Sequence, residues 1–195
     1  MEQPTAPPRR GTIAAVVLAA GSGTRFAGRT HKLLADVKGV PLVRRAVDAA
    51  RGAELDETIV VIGATDLLGV LPHDVTVVRN DHWEDGQGSS LQVAVAYAGS
   101  VGHRAVVVGL GDQPGVPVAA WRAVAEEDHD LVVASFGGRR RPPTRIGSAL
   151  WAQLPVSGDE GARVLMRRRP ELLRAVACEG DPDDIDTVED LARWS

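Results

Sequence analysis

Five apolar runs of strand length, at residues 12–18, 58–62, 75–78, 105–110 and 131–135, recur along this chain, each flanked by Gly, Asp or Asn. Their apolar residues are continuous rather than alternating, so both faces of each strand must be covered. Segments with helical spacing fall between them at 41–51, 89–98 and 118–127, the first opening with Pro41 near its first turn. This alternation of strand and helix predicts an α/β fold, a three-layer α/β/α sandwich around a mostly parallel, Rossmann-like sheet. Ligands of such sheets bind at the carboxyl ends of the strands. After residue 135 the order breaks, and Gly137-Gly138-Arg139-Arg140-Arg141-Pro142-Pro143 predicts a turn and an irregular or antiparallel excursion before further helices.

At 195 residues the chain has the length of one ordinary domain. Residues 12–195 are expected to form it, and residues 1–11, rich in proline and poor in apolar surface, to be a disordered leader. A formal charge of -4 without a basic stripe argues against a nucleic-acid surface. The run at 13–20 is too short to span a bilayer, so no membrane role is expected. Cys178 has no cysteine to pair with and the five histidines lack zinc-ligand spacing, which suits a reducing cytoplasm.

The first strand runs directly into Leu18-Ala19-Ala20-Gly21-Ser22-Gly23-Thr24-Arg25. Without Cβ atoms, Gly21 and Gly23 let the backbone turn sharply and aim amide N–H groups at a phosphate chain, with Arg25 and Lys32 as countercharge. Neither the P-loop nor the dinucleotide fingerprint fits this string. Asp112 follows the run at 105–110, which places its carboxylate at a strand's carboxyl end: a magnesium ligand, or the cap of a turn ahead of Pro114. Asp186 begins Asp186-Thr187-Val188-Glu189, which has the form of a helix N-cap with an acid three residues on, so capping and metal binding both stand, and are compatible. No Ser-His-Asp or Cys-His set is present.

The string from Leu18 to Arg25 and Phe26, then Lys32-Leu33-Leu34 and Gly39-Val40-Pro41-Leu42, resembles the opening of nucleotidyltransferases related to molybdenum cofactor cytidylyltransferase. Asn80-Asp-His-Trp83 with Gly86-Gln-Gly88-Ser89-Ser90-Leu91 is similar to the family's second nucleotide segment. Gly111-Asp112-Gln113-Pro114 is similar to its metal-binding turn, Gly158-Asp-Glu-Gly161-Ala162-Arg163 to its cofactor-side loop, and residues 184–191 to its closing acidic motif. The resemblance implies the sheet of a nucleotide-diphospho-sugar transferase and transfer of CMP from CTP to molybdenum-loaded molybdopterin, with release of pyrophosphate. Ala20 and Gly-Asp-Gln-Pro agree with the cytidylyl rather than the guanylyl branch, so CTP is favoured.

The resemblance implies Mg²⁺ held by Asp112 and Asp186, Arg25, Lys32 and Asp112 as catalytic residues, and nucleotide contacts along 18–25 and from Lys32, Asn80, Gly86, Ser89, Ser90 and Leu91. Gln113, Pro114 and Arg163 are implied on the acceptor side, and a molybdoenzyme of the xanthine dehydrogenase type as a partner. Where relatives carry a Gly-Asn-Pro-Val-like stretch, this chain has Arg141-Pro142-Pro143-Thr144. Two other readings stand beside this one: the same chemistry with GTP or another triphosphate and an acceptor such as a sugar phosphate, and a non-catalytic cofactor-binding or delivery protein.

Overall fold

The computed structural model describes residues 11–24, 26–28 and 30–194. Strand β1 (Ile13–Ala19) leads through a glycine loop and a 3-10 turn at Lys32–Leu34 into two short antiparallel strands, β2 (Asp36–Val37) and β3 (Val40–Pro41). Lys38 and Gly39 between them both have positive φ, as a two-residue hairpin turn requires. Helix α1 (Leu42–Gly52) follows with Pro41 as its N-cap, then β4 (Glu57–Ile62), β5 (Thr76–Arg79), α2 (Gln87–Ser100), β6 (Ala105–Leu110) and α3 (Val118–Glu126). The chain continues through β7 (Leu131–Phe136), β8 (Arg139–Gly147), α4 (Ala162–Arg168), β9 (Leu173–Ala177) and α5 (Val188–Ala192).

Seven strands form one sheet in the order β5-β4-β1-β6-β8-β7-β9. All are parallel except β8, which runs against β6 and β7. This is the expected three-layer α/β architecture, and β8 is the predicted excursion. Pro142 and Pro143 interrupt its pairing: Val133 faces Thr144, but the next residue, Ala134, faces Arg141. A proline has no amide hydrogen to give a ladder, so the two sit in the irregularity between paired stretches.

The period of two along each buried strand sorts the core into two layers. Ala15, Val17, Val60, Ile62 and Val107 face α1 and α3, where Val43, Val47, Trp121 and Val124 meet them. Val16, Leu18, Ile59, Val61, Val106 and Val108 face α2 and α4, against Leu91, Ala94, Ala98 and Leu165. Gly109 is fixed by this packing, since a Cβ there would lie 2.5 Å from the Trp121 ring. A third small cluster of Val37, Leu42 and Ile185, with Leu191 and Trp194 against it, ties the C-terminal segment to the β2–β3 hairpin. Burying Ile185 completely contributes about 1.5–3 kcal/mol to holding that segment, and the Ile185 N–H donates to the Asp112 carbonyl at 3.0 Å. That segment carries Asp184 and Asp186. Among the described residues no helix is long and apolar enough to cross a membrane.

Candidate active site

Register brings the site together. Leu18 pairs with Leu110 at the carboxyl ends of β1 and β6, and the Gly111 N–H donates to the Leu18 carbonyl at 2.9 Å. The glycine loop after β1 and the Asp112 turn after β6 are therefore adjacent walls of one cleft of about 490 Å³. Leu18, Ala19, Ala20, Gly21, Ser22, Gly23, Thr24, Lys32, Gly86, Ser90, Asp112 and Asp186 line it. Arg25 lies outside the described residues.

The two loop glycines have different reasons. Gly21 lines the cleft, and a Cβ on it would meet nothing within 4 Å among the described residues. Gly23 has φ +63° and stands 3.0 Å, at its virtual Cβ, from the Lys32 Cβ, so both conformation and packing demand glycine. His31, not singled out by the sequence, steadies the loop. Its Nδ1 accepts from the Leu33 N–H (3.3 Å), which leaves Nε2 to donate to the Gly21 carbonyl (3.2 Å). Burial and the Lys32 charge lower its pKa, while its bonds to the loop backbone work against that.

At the base of the cleft the buried Lys32 ammonium donates to Asp112 Oδ2 at 2.8 Å and to Asp186 Oδ1 at 2.9 Å. Burial alone would lower the Lys32 pKa; the two carboxylates overcome it and raise it above the ordinary lysine value. Asp112 Oδ1 is buried and has no hydrogen-bond partner among the described residues. Two carboxylates brought to one ammonium, one of them with an oxygen left over, are a donor set that suits a hard divalent cation. Asp186 does not cap α5. Thr187 does, its hydroxyl accepting from the Asp190 N–H while Asp190 returns a bond to the Thr187 N–H. The capping box lies one residue later than the sequence reading, which gives the Asp186 carboxylate to Lys32.

A second cleft, of about 230 Å³, shares Leu18, Gln87, Leu110, Asp112, Asp159 and Asp186 with the first and opens toward β8 and α4. Its walls include Leu91 and Arg163, together with Arg140, Arg141, Thr144 and Asp184, which the sequence did not single out as site residues. Arg139 turns away to Asp183 (2.8 Å), and Arg167 and Arg169 are held on the surface by Glu160 and Glu171, both at 2.6 Å. The Asp184 carboxyl is pushed above its ordinary pKa, first by burial and then by the charges of Asp112 and Asp186.

The remaining expected contacts lie behind these walls. Asn80 is 1 % exposed and spends its amide hydrogens on Ser89 and Ser90 (2.9 and 3.0 Å), while its oxygen accepts from the His82 N–H. The single Ser89 hydroxyl hydrogen is shared between the Gly86 and His82 carbonyls, both 2.8 Å away. Gln113 lines neither cleft; its amide holds the Pro182 carbonyl and Asp184 Oδ1, keeping the C-terminal segment beside the Asp112 turn. Pro114 also lines neither. The motifs at 86–88 and 158–161 interlock. The Gly88 N–H donates to Gly158 O (2.8 Å), the Gly158 N–H to Asp85 O (2.7 Å), and a Cβ on Gly86 would lie 2.6 Å from Gly158. Trp83, Gln87 and Asp159 join the cleft through this contact. No spacing rule links residues seventy positions apart, so only the glycines hinted at it.

A glycine loop and an Asp–Lys–Asp cluster at the carboxyl ends of adjacent parallel strands, beside a second, arginine-lined cleft, define a nucleotidyltransferase. The chain belongs to the MobA-like NTP transferase domain family, whose model matches residues 15–174. It is 32% identical over 199 residues to a nicotine blue oxidoreductase of Paenarthrobacter nicotinovorans, spanning 93% of this chain and 95% of that protein. It is 31% identical over 192 residues to the purine catabolism protein PucB of Bacillus subtilis, spanning 90% and 92%. Among solved structures, Rv0371c of Mycobacterium tuberculosis superposes with a TM-score of 0.81 at 27% identity, covering 94% of this chain and 97% of that one. A manganese complex of the same protein matches with a TM-score of 0.79 at 26% identity, over 94% and 97%.

Proposed function

We propose that this enzyme transfers CMP from CTP to molybdenum-loaded molybdopterin, with release of pyrophosphate. The observation that carries the reading is the Lys32–Asp112–Asp186 cluster at the junction of the two clefts. A reaction joining two anions needs its countercharges at that junction.

The triphosphate takes the larger cleft, with the backbone of 20–24 and Lys32 against its phosphates; Ser90 and Gln87 line the same cleft. Asp112 and Asp186 would hold Mg²⁺, which when bound supplies charge neutralisation across the phosphates. The acceptor lies in the second cleft with its phosphate near Arg163, Arg140 and Arg141. Its phosphate oxygen, already ionised at neutral pH, attacks the α-phosphorus. The bond from that phosphorus to the bridging oxygen of the β-phosphate breaks, and pyrophosphate leaves. No enzyme nucleophile or general base is required. Delivery of the product to a molybdoenzyme of the xanthine dehydrogenase type completes the reading.

A second reading keeps the chemistry and changes the acceptor to another phosphate monoester. It is favoured by Arg141-Pro142-Pro143-Thr144, which departs from the family's acceptor-side pattern, and by Arg141 and its neighbour Arg140 both lining the cleft. Incubation with Mg²⁺, molybdenum-loaded molybdopterin and each of CTP, GTP, ATP and UTP, followed by pyrophosphate measurement, separates these. Release with CTP alone is expected. Release with another triphosphate reassigns the base, and silence with all four overturns the acceptor.

A further inference from the structure

Two features at the junction of the clefts are in tension. Asp112 and Asp186 are the groups that would hold a divalent ion, yet the Lys32 ammonium already lies between them, 2.8 and 2.9 Å from one oxygen of each. Lys32 is 8 % exposed and lines the triphosphate cleft, so its ammonium has two possible anionic partners, the carboxylates and the phosphates. A divalent ion approaching alone meets that ammonium at close range in a site of reduced dielectric, where like charges repel strongly. Lysine's stem is flexible and its three donors are not tied to one geometry, unlike arginine's fork, so the ammonium is able to change partners.

Resting on the reading of Asp112 and Asp186 as metal ligands, we infer that Lys32 is an exchangeable internal cation. Without nucleotide it holds the two carboxylates together and opposes a divalent ion. When the triphosphate arrives Lys32 turns to its phosphates, and the two carboxylates accept the ion in its place, so that ion and nucleotide enter as a pair. Charge balance is kept throughout: one cation leaves the carboxylates as another arrives, and the departing one meets new negative charge. The orphaned Asp112 Oδ1 fits this exchange, because Lys32 satisfies only Oδ2.

The test is Mn²⁺ binding to the nucleotide-free full-length protein, followed by the electron paramagnetic resonance of the free ion. Wild type and Lys32→Arg, which keep a cation in place, are expected to bind Mn²⁺ weakly. Lys32→Met keeps the apolar stem and loses the charge, and it should bind Mn²⁺ at least about tenfold more tightly, although turnover is lost. Lys32→Gln, neutral and able to hydrogen-bond, serves as a second variant of the same sign should the first fail to fold. A folded neutral variant with unchanged or weaker Mn²⁺ affinity overturns the exchange. Tighter binding that persists after Asp112→Asn is added places the ion elsewhere and overturns instead the metal-ligand reading beneath it.

Discussion

The two sides of the sheet build their clefts from different materials. On the β5-β4-β1-β6 side all strands are parallel, and the cleft is walled in part by backbone-rich segments, the glycine loop at 20–24 and the turn after β6. On the β8-β7-β9 side one strand is reversed and interrupted by two prolines, and the wall is made of side chains, Arg140, Arg141, Arg163 and Asp184. A backbone wall recognises what all nucleotides share, a phosphate chain, and needs glycine where the chain bends or the ligand approaches. A side-chain wall changes with each substitution, and so is the place where relatives of one fold diverge in acceptor. Lys32, Asp112 and Asp186 stand where the two meet.

The largest effect should come from that meeting point. Asp112→Asn keeps shape and removes charge, and should cost about 10²–10³-fold in turnover, read as pyrophosphate release. Unchanged turnover would remove Asp112 from the metal site and with it the idea that one cluster serves both clefts.

Next come the glycines of the backbone wall. Gly23→Ala forces a Cβ at φ +63° and against Lys32, costing about 1–2 kcal/mol as a lowered midpoint of urea unfolding. Gly21→Ala meets no protein atom. It should leave stability within about 0.5 kcal/mol while raising KM for the triphosphate, because the methyl group enters the space assigned to phosphate. Equal destabilisation by both would mean that the loop's glycines serve the fold alone.

The contrast between the walls also explains what was legible. The parallel strands and the helices covering them announce themselves as apolar runs and helical periods, because their burial on both faces leaves little choice of residue. Even there the ends moved: α2 runs from Gln87 to Ser100, beyond the 89–98 pattern, and at its start Gly86 and Gly88 are close-packed against 157–158 rather than left in a loop. Asp112 was legible from its place after a buried strand. Asp186 was legible as a cap, a ligand or both, since the two roles share a sequence form, and the Thr187–Asp190 box shows only that the cap is Thr187. The run at 139–141 reads either as a phosphate-binding stretch or as solvated surface, and nothing in the sequence separates Arg140 and Arg141 from Arg139. Their orientation follows from the register irregularity at Pro142 and Pro143 and from the ion pair that draws Arg139 away, both tertiary facts. Edge strand β9 is short and largely exposed, and Arg174 breaks its apolar residues into pieces too brief to stand out.

A smaller effect belongs to the side-chain wall. Arg163→Ala should raise KM for the acceptor about tenfold, equivalent to about 1.4 kcal/mol, and leave KM for the triphosphate unchanged. A matching rise in both would show that the two clefts are not separate in function.

The smallest effect concerns the opposite end of the parallel strands. Glu57, at the start of β4, accepts from Tyr97 Oη at 2.9 Å and from the Thr76 hydroxyl through Oε1, and pairs with His103 Nε2 at 2.7 Å through Oε2. Burial pushes the Glu57 pKa up, but the His103, Thr76 and Tyr97 bonds outweigh it and leave the carboxyl below its ordinary value. A carboxyl whose pKa is lower in the folded than in the unfolded chain stabilises the fold above the unfolded value, about pH 4.3 for Glu. That stabilisation disappears as pH falls through the folded pKa. Wild type should therefore lose unfolding free energy on acidification below about pH 4 more steeply than Glu57→Gln, which cannot titrate there. Turnover at neutral pH should be the same in both, because Glu57 lies at the amino end of its strand, away from the clefts at the carboxyl ends. A fall in turnover with Glu57→Gln would mean that strain at one end of the parallel sheet reaches the other, and that the backbone wall is less rigid than its burial implies.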